Sequence, residues 1–158
     1  MRLLLFISLI MMGCNAKEAA ATEKQSTGTV IKIVDGDTYD ILFDDKTTER
    51  IRMEGIDAPE RGMAFYKVSK DYLGALCFGQ TIRIERTNRD RYGRTVAKTF
   101  LGNGNELGFL MIQAGYAWHF KKYSADAQLA NAEIEARNKR IGLWVDETPI
   151  APWENRKK

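Results

Sequence analysis

Histidine and cysteine are scarce in this chain. Among 158 residues there is one histidine, His119, and two cysteines, Cys14 and Cys77. That scarcity excludes a zinc centre built from Cys and His, which takes about four such ligands. It also leaves no second histidine for a His-rich metal site. A disulfide framework is absent too, because Cys77 has no partner once Cys14 is modified. Cys77 lies in the apolar run 72–78 and reads as a buried filler. No run reaches the about 20 apolar residues that a membrane-spanning helix needs. The formal net charge is only +3. Global charge therefore does not argue for a nucleic-acid partner, and local clustering must carry that case. Blocks of like charge are missing, and hydrophobic residues make up 44%. One compact domain with an ordinary core is expected rather than a disordered chain.

The chain does open on a short apolar run. Met1-Arg2 precedes residues 3–12, which are apolar except for Ser8, and Gly13-Cys14 follows. A basic start, an apolar core and a small residue at the junction predict a secretory signal over 1–13. The Gly13-Cys14 junction resembles a bacterial lipoprotein signal, which implies a lipid on Cys14 as the mature N-terminus. Residues 14–26 are rich in Ala, Lys, Glu and Thr without apolar periodicity and read as a flexible tether. Residues 27–158 are then the folded domain, held to a membrane outside the cytoplasm through Cys14, or secreted if the lipid is not added. Loss of 1–13 lowers the net charge to +2.

Within the domain, β-branched strands are expected at 29–34, 38–43 and 48–53, with turns at 35–37 and 44–46. Residues 64–77 show helical spacing, with Phe65, Val68, Tyr72, Leu73 and Leu76 near one face. Two further strands are expected at 81–86 and 95–101. A helix over 107–114 and another over 125–140, capped by Ser124 and stopped by Gly142, complete the order. Trp144 and Trp153, with Pro149 and Pro152, suggest a strap packed on the body, and 155–158 a short basic end that frays. Strands, helix, strands, helices is an α+β arrangement.

Three clusters carry chemistry: Asp35-Gly36-Asp37, then 52–60 (Arg-Met-Glu-Gly-Ile-Asp-Ala-Pro-Glu), then Asp90-Arg91-Tyr92-Gly93-Arg94. Each has a plain alternative. Asp-Gly-Asp is a good turn. Glu60 after Pro59 suits a helix start. Arg52 could sit on a solvated strand face, and Arg94 could be a hairpin residue. Together they supply what phosphodiester hydrolysis needs. Oxygen ligands suit Ca²⁺ or Mg²⁺, a carboxylate can take a proton from water, and arginine's planar fork fits phosphate. Basic residues interleaved with aromatics recur at 83–94 and at 118–123. That pattern suits single-stranded nucleic acid, which offers phosphates and unstacked bases together.

At these residues, in this order, the chain resembles the staphylococcal nuclease (thermonuclease) family over roughly 27–144, and its tail fits the bacterial branch. The resemblance implies a five-stranded OB-fold β-barrel with three helices, and a Ca²⁺-dependent endonuclease that acts as a monomer on DNA and RNA. It also implies cleavage that leaves 3′-phosphate ends. By matching position, Asp37 and Asp57 ligate calcium with help from the Ala58 carbonyl. Arg52 and Arg94 bind the scissile phosphate, and Glu60 is the general base. Tyr92 lines the nucleotide pocket; Arg91, Lys121 and Tyr123 are further candidate substrate contacts. The chain departs from the best-known members after Glu60, where it lacks a longer lysine-rich loop. The competing reading is a non-catalytic OB-fold module that binds nucleic acid or protein.

Overall fold

The computed structural model describes residues 25–156. The expected signal 1–13, Cys14 and most of the tether lie outside the described residues. Five strands close a barrel in the order β1 (Gln25–Ile33), β2 (Thr38–Leu42), β3 (Thr48–Met53), β6 (Thr95–Phe100) and β5 (Thr81–Arg89). All neighbours are antiparallel except β3 and β6, which run parallel with Ile51 beside Thr95 and Met53 beside Ala97. This is the expected OB-type α+β barrel. β1 starts at Gln25, two residues before the expected domain boundary, because Gln25 and Ser26 pair with Glu85 and Ile84.

Alternation explains the barrel. Tyr39 and Ile41 of β2, Ile51 and Met53 of β3, and Ile82 and Ile84 of β5 are fully or almost fully buried. Neighbours such as Asp40, Leu42, Arg52, Arg83 and Glu85 are less buried, as the period of two demands. Each large aliphatic chain buried this way contributes about 1.5–3 kcal/mol. Helix α1 (Tyr66–Cys77) and helix α2 (Leu107–Gln113) join the same core through Leu73, Cys77, Leu107, Met111 and Ile112. Cys77 is free and buried, and burial pushes its thiol pKa up to about 12, consistent with a filler.

Several local expectations change. α1 begins at Tyr66, not 64, because Phe65 takes a left-handed conformation at its N-cap. Its buried line is Ser69, Leu73 and Cys77, spaced by four, while Val68 turns outward at 46% exposure. Helix α3 (Ala127–Asn138) is capped by Asp126, whose carboxylate accepts from the Gln128 and Leu129 amides. Ser124, the expected cap, instead accepts from the Asp126 amide and braces that residue. Gly142 opens a 3₁₀ turn (Gly142–Val145), and a short helix α4 (Pro152–Asn155) comes after it. A second cluster, of Trp118, Ala136, Leu143, Trp144 and Ala151, with Phe65 and Trp153 packed against it, docks this tail as a strap. Finally, β4 (Ile56–Asp57) pairs with β7 (Trp118–His119) in a small separate sheet, with Asp57 opposite Trp118.

Candidate active site

Three separate pieces of chain meet at one edge of the barrel. The first is the turn between β1 and β2. Asp35 accepts a hydrogen bond from the Asp37 amide at 3.2 Å, and the Asp37 carbonyl accepts from the Met53 amide at 2.9 Å. The turn is thereby stitched to β3. Gly36 is required for space. A Cβ there would stand 2.0 Å from the Ser69 hydroxyl oxygen and 2.8 Å from the Ala58 Cβ. Only a bare backbone lets the turn, α1 and the segment after β4 come this close.

The second piece is Arg52 of β3, an outward position in the alternation. Its Nη2 lies 2.9 Å from Asp57 Oδ1 and 3.2 Å from Asp37 Oδ2. Its Nη1 donates to the Met53 carbonyl at 2.8 Å. The third piece is β4 with the residues immediately after it. Asp57 is held by the pairing with β7, and the Ala58 amide donates to Asp37 Oδ2 at 2.8 Å. Asp37 Oδ1 also accepts from the Thr38 hydroxyl at 2.9 Å. Asp37 and Asp57 are only 6% and 1% exposed. Two buried carboxylates thus share one guanidinium.

The crowding of these buried acids sets the electrostatics. Burial, and then the charge of Asp37, push the Asp57 pKa up to about 6, against the pull of Arg52 and Arg156. Burial, and then Asp37, push Asp35 up to about 7. Acid groups that resist ionisation this near neutrality gain from an added cation, the physical reason to expect a metal. Among the described residues no group of three or more His, Cys, Asp or Glu stands at metal-holding spacing. Asp37 and Asp57 nonetheless fit a hard cation. Both are buried oxygen donors, and Ca²⁺ completes about six to eight oxygens from carbonyls, water and substrate.

Glu60 lies beside this pair. It caps no helix, since α1 starts six residues later. Its partner is Arg156, a residue of the end expected to fray. Arg156 Nη1 is 2.5 Å from Glu60 Oε1, and Nη2 is 2.5 Å from Asp57 Oδ2. Pro152 and Trp153 signal a docked turn, but a contact 96 and 99 residues away in sequence carries no local signature.

Arg94 sits elsewhere. The β5–β6 turn holds it through Asp90, which accepts from the Arg94 amide at 3.0 Å and from Nε at 2.7 Å. The parallel register puts Arg94 one step before the Ile51–Thr95 pair, level with Arg50. It helps line an open depression of about 460 Å³ with Asp40, Arg50 and Tyr92. Among the described residues no ion pair joins Arg94 to Asp37, Asp57 or Glu60. Tyr92 is 68% exposed, with the Arg91 and Arg94 guanidiniums 4.8 and 5.6 Å from its ring centre. Arg91 also donates to the Tyr92 hydroxyl at 2.7 Å.

The remaining two candidates lie after β7. Lys121 is engaged at 2.8 Å by the buried Glu133, and Tyr123, 67% exposed, meets Phe120 edge-on at 4.9 Å.

Comparison with known proteins bears on the family of the chain. Residues 50–146 match the family model described as staphylococcal nuclease homologue. A "Micrococcal nuclease" of Shigella flexneri is 38% identical over 140 residues, covering 82% of this chain and 80% of that one. An "Uncharacterized endonuclease" of Haemophilus influenzae is 37% identical over 142 residues, covering 89% and 79%. One with the same description from Escherichia coli O157:H7 is 36% identical over 126 residues, covering 80% and 82%.

Proposed function

We propose a calcium-dependent reaction for this chain, which belongs to the staphylococcal nuclease homologue family and is a hydrolase of the endonuclease class. The observation that carries the proposal is the shared guanidinium: Arg52 spans the buried Asp37 and Asp57. Such a site presents positive and negative charge at one point. Asp37 and Asp57 would hold Ca²⁺, with the Ala58 carbonyl assisting. The bound cation would supply Lewis-acid polarisation of the phosphate and a template for the attack.

The chain's own groups do the rest. Arg52 offers a fixed donor for a non-bridging phosphate oxygen, where negative charge grows in the transition state. Arg94 comes from the hairpin and exchanges Asp90 for phosphate. Glu60 accepts a proton from water as that water attacks phosphorus. The bond from phosphorus to the 5′-oxygen breaks, that oxygen takes a proton from solvent water as it leaves, and a 3′-phosphate end remains. Tyr92 and Arg91, and Lys121 and Tyr123, would receive neighbouring bases and phosphates. DNA and RNA both present the required diester, so both are proposed substrates, and the protein acts as a monomer.

The chain start supports a proposal for place. The run ending in Gly13-Cys14 would put a lipidated Cys14 at the cell envelope. Cys14→Ser should release the protein or block its processing.

The test is digestion of DNA and of RNA by the purified protein, with calcium and with excess chelator. Cleavage with calcium, lost on chelation and leaving 3′-phosphate ends, is the expected result. Undiminished cleavage in chelator would sink the metal assignment. Binding without cleavage under all conditions would leave a binding module.

A further inference from the structure

Arg156 enters the acidic site from the far end of the chain. Helix α4 holds it there: Ala151 and Pro152 are buried, and Trp153 stacks on Phe120 with ring centres 5.1 Å apart and planes 3° from parallel. Its guanidinium then spans Asp57 Oδ2 and Glu60 Oε1, both at 2.5 Å. The four oxygens of Asp37 and Asp57 are now all engaged. Thr38 takes Asp37 Oδ1, and the Ala58 amide and Arg52 take Oδ2. Arg52 takes Asp57 Oδ1, and Arg156 takes Oδ2.

We propose that Arg156 is a built-in competitor for the divalent cation, so that the strap carrying it sets the calcium concentration at which the site fills. The inference rests on the reading of Asp37 and Asp57 as the calcium ligands. Two cations cannot share Asp57 Oδ2, so calcium enters as the guanidinium leaves. Departure is open to it, since the Arg156 side chain is 40% exposed and faces solvent on one side. Arg52 differs: it is 12% exposed and hydrogen-bonded to the strand carbonyl beside it, so it stays. Tethering keeps the competitor at high effective concentration without any change in the ions outside. Withdrawal of Arg156 also frees Glu60 Oε1, one of the two oxygens of the proposed base. Filling the metal place and exposing the base are thereby one event. A strap docked for about nine-tenths of the time would weaken apparent calcium affinity about tenfold.

The experiment is calorimetric titration of Ca²⁺ alone into the full chain and its variants, with no nucleic acid present. Arg156→Ala and Arg156→Gln are expected to bind calcium about tenfold more tightly than the parent. Arg156→Lys, able to reach one carboxylate but not both, should fall between. A chain ended at Asn155 repeats the test if the substitutions disturb folding. Equal or weaker affinity in the variants, with calcium bound normally by the parent, overturns the role of Arg156 alone. If the same variants instead lose affinity for a short oligonucleotide, Arg156 is a phosphate ligand and the proposal also falls. Absence of calcium binding in the parent and in every variant overturns the calcium reading beneath it. Asp37→Ala, expected to abolish the heat of binding in either background, marks that case.

Discussion

The two arginines of the proposed reaction stand in unlike surroundings. Arg52 stands on a barrel strand, 12% exposed, between two buried carboxylates. Arg94 stands on a hairpin, 29% exposed, paired with an acid from its own turn. The first is positioned by long-range contacts and cannot move without unpairing buried charge. The second is positioned locally and can exchange one partner for another at little cost. On the proposed reading, one end of the site is preorganised by the fold, and the other is delivered by a loop.

The largest test of that contrast is Arg52→Ala. Turnover should fall by at least about two orders of magnitude, the scale for losing one preorganised charge-stabilising group. Stability without metal should also fall, by about 3 kcal/mol, because two buried carboxylates lose a partner. Denaturant unfolding in chelator measures the second effect. Arg52→Lys should recover little activity, since lysine lacks the fork. Arg94→Ala should match it in activity, by about two orders of magnitude, yet leave stability within about 0.5 kcal/mol, as for a surface pair. Equal stability losses in the two variants would erase the distinction.

The glycines of the two regions offer a second probe. Gly36→Ala should cost about 1–3 kcal/mol through overpacking against Ser69 and Ala58. Gly93 has φ +79° but open space around it. Gly93→Ala should therefore cost only the backbone strain, about 1 kcal/mol. Thermal unfolding of both variants checks the order.

A last contrast is in pH, and here the regions oppose each other. Asp57, raised by burial and then by Asp37, holds a proton in the folded chain that the unfolded chain has released. Its contribution is greatest below the ordinary carboxylate range near pH 4 and is lost as pH climbs through about 6. In chelator, stability should drop by about 2 kcal/mol across that window, and Asp57→Asn should flatten the drop. Asp90 behaves oppositely. Burial works against its charge, but the hydrogen bonds from Arg94 and the turn amides outweigh it and hold its pKa low. That stability is present above the ordinary carboxylate range and fades as pH falls, so Asp90→Asn should weaken the protein at neutral pH only. A common slope in both variants would count against this assignment.

Much of the barrel was legible because alternation is local. Tyr39, Ile41, Ile51 and Ile84 mark inward faces by a period of two that neighbours in sequence impose. The helices were legible in existence and only partly in phase: Leu73, Tyr72 and Leu76 do pack on the core, while Val68 turns outward. The face of α1 turned on Ser69, a polar residue, because Gly36 and Ala58 leave room only for a small side chain there. The cap of α3 passed from Ser124 to Asp126 because Lys98, from β6, pairs with Asp126 at 3.0 Å and holds it.

The site divides along the same line. Residue types and spacing alone pointed to 35–37, 52–60 and 90–94 as a candidate phosphate-handling set, since a carboxylate or guanidinium announces its chemistry wherever it stands. Which of them meet was settled only by closure of the barrel. The pairing of β2 with β3 brings Asp37 to Arg52, and that of β4 with β7 brings Asp57 to both. The docking of Trp153 on Phe120 adds Arg156, which no spacing foretold. Charge carries its meaning in the side chain, but attraction falls with distance and strengthens with burial, and both of those are properties of the folded chain.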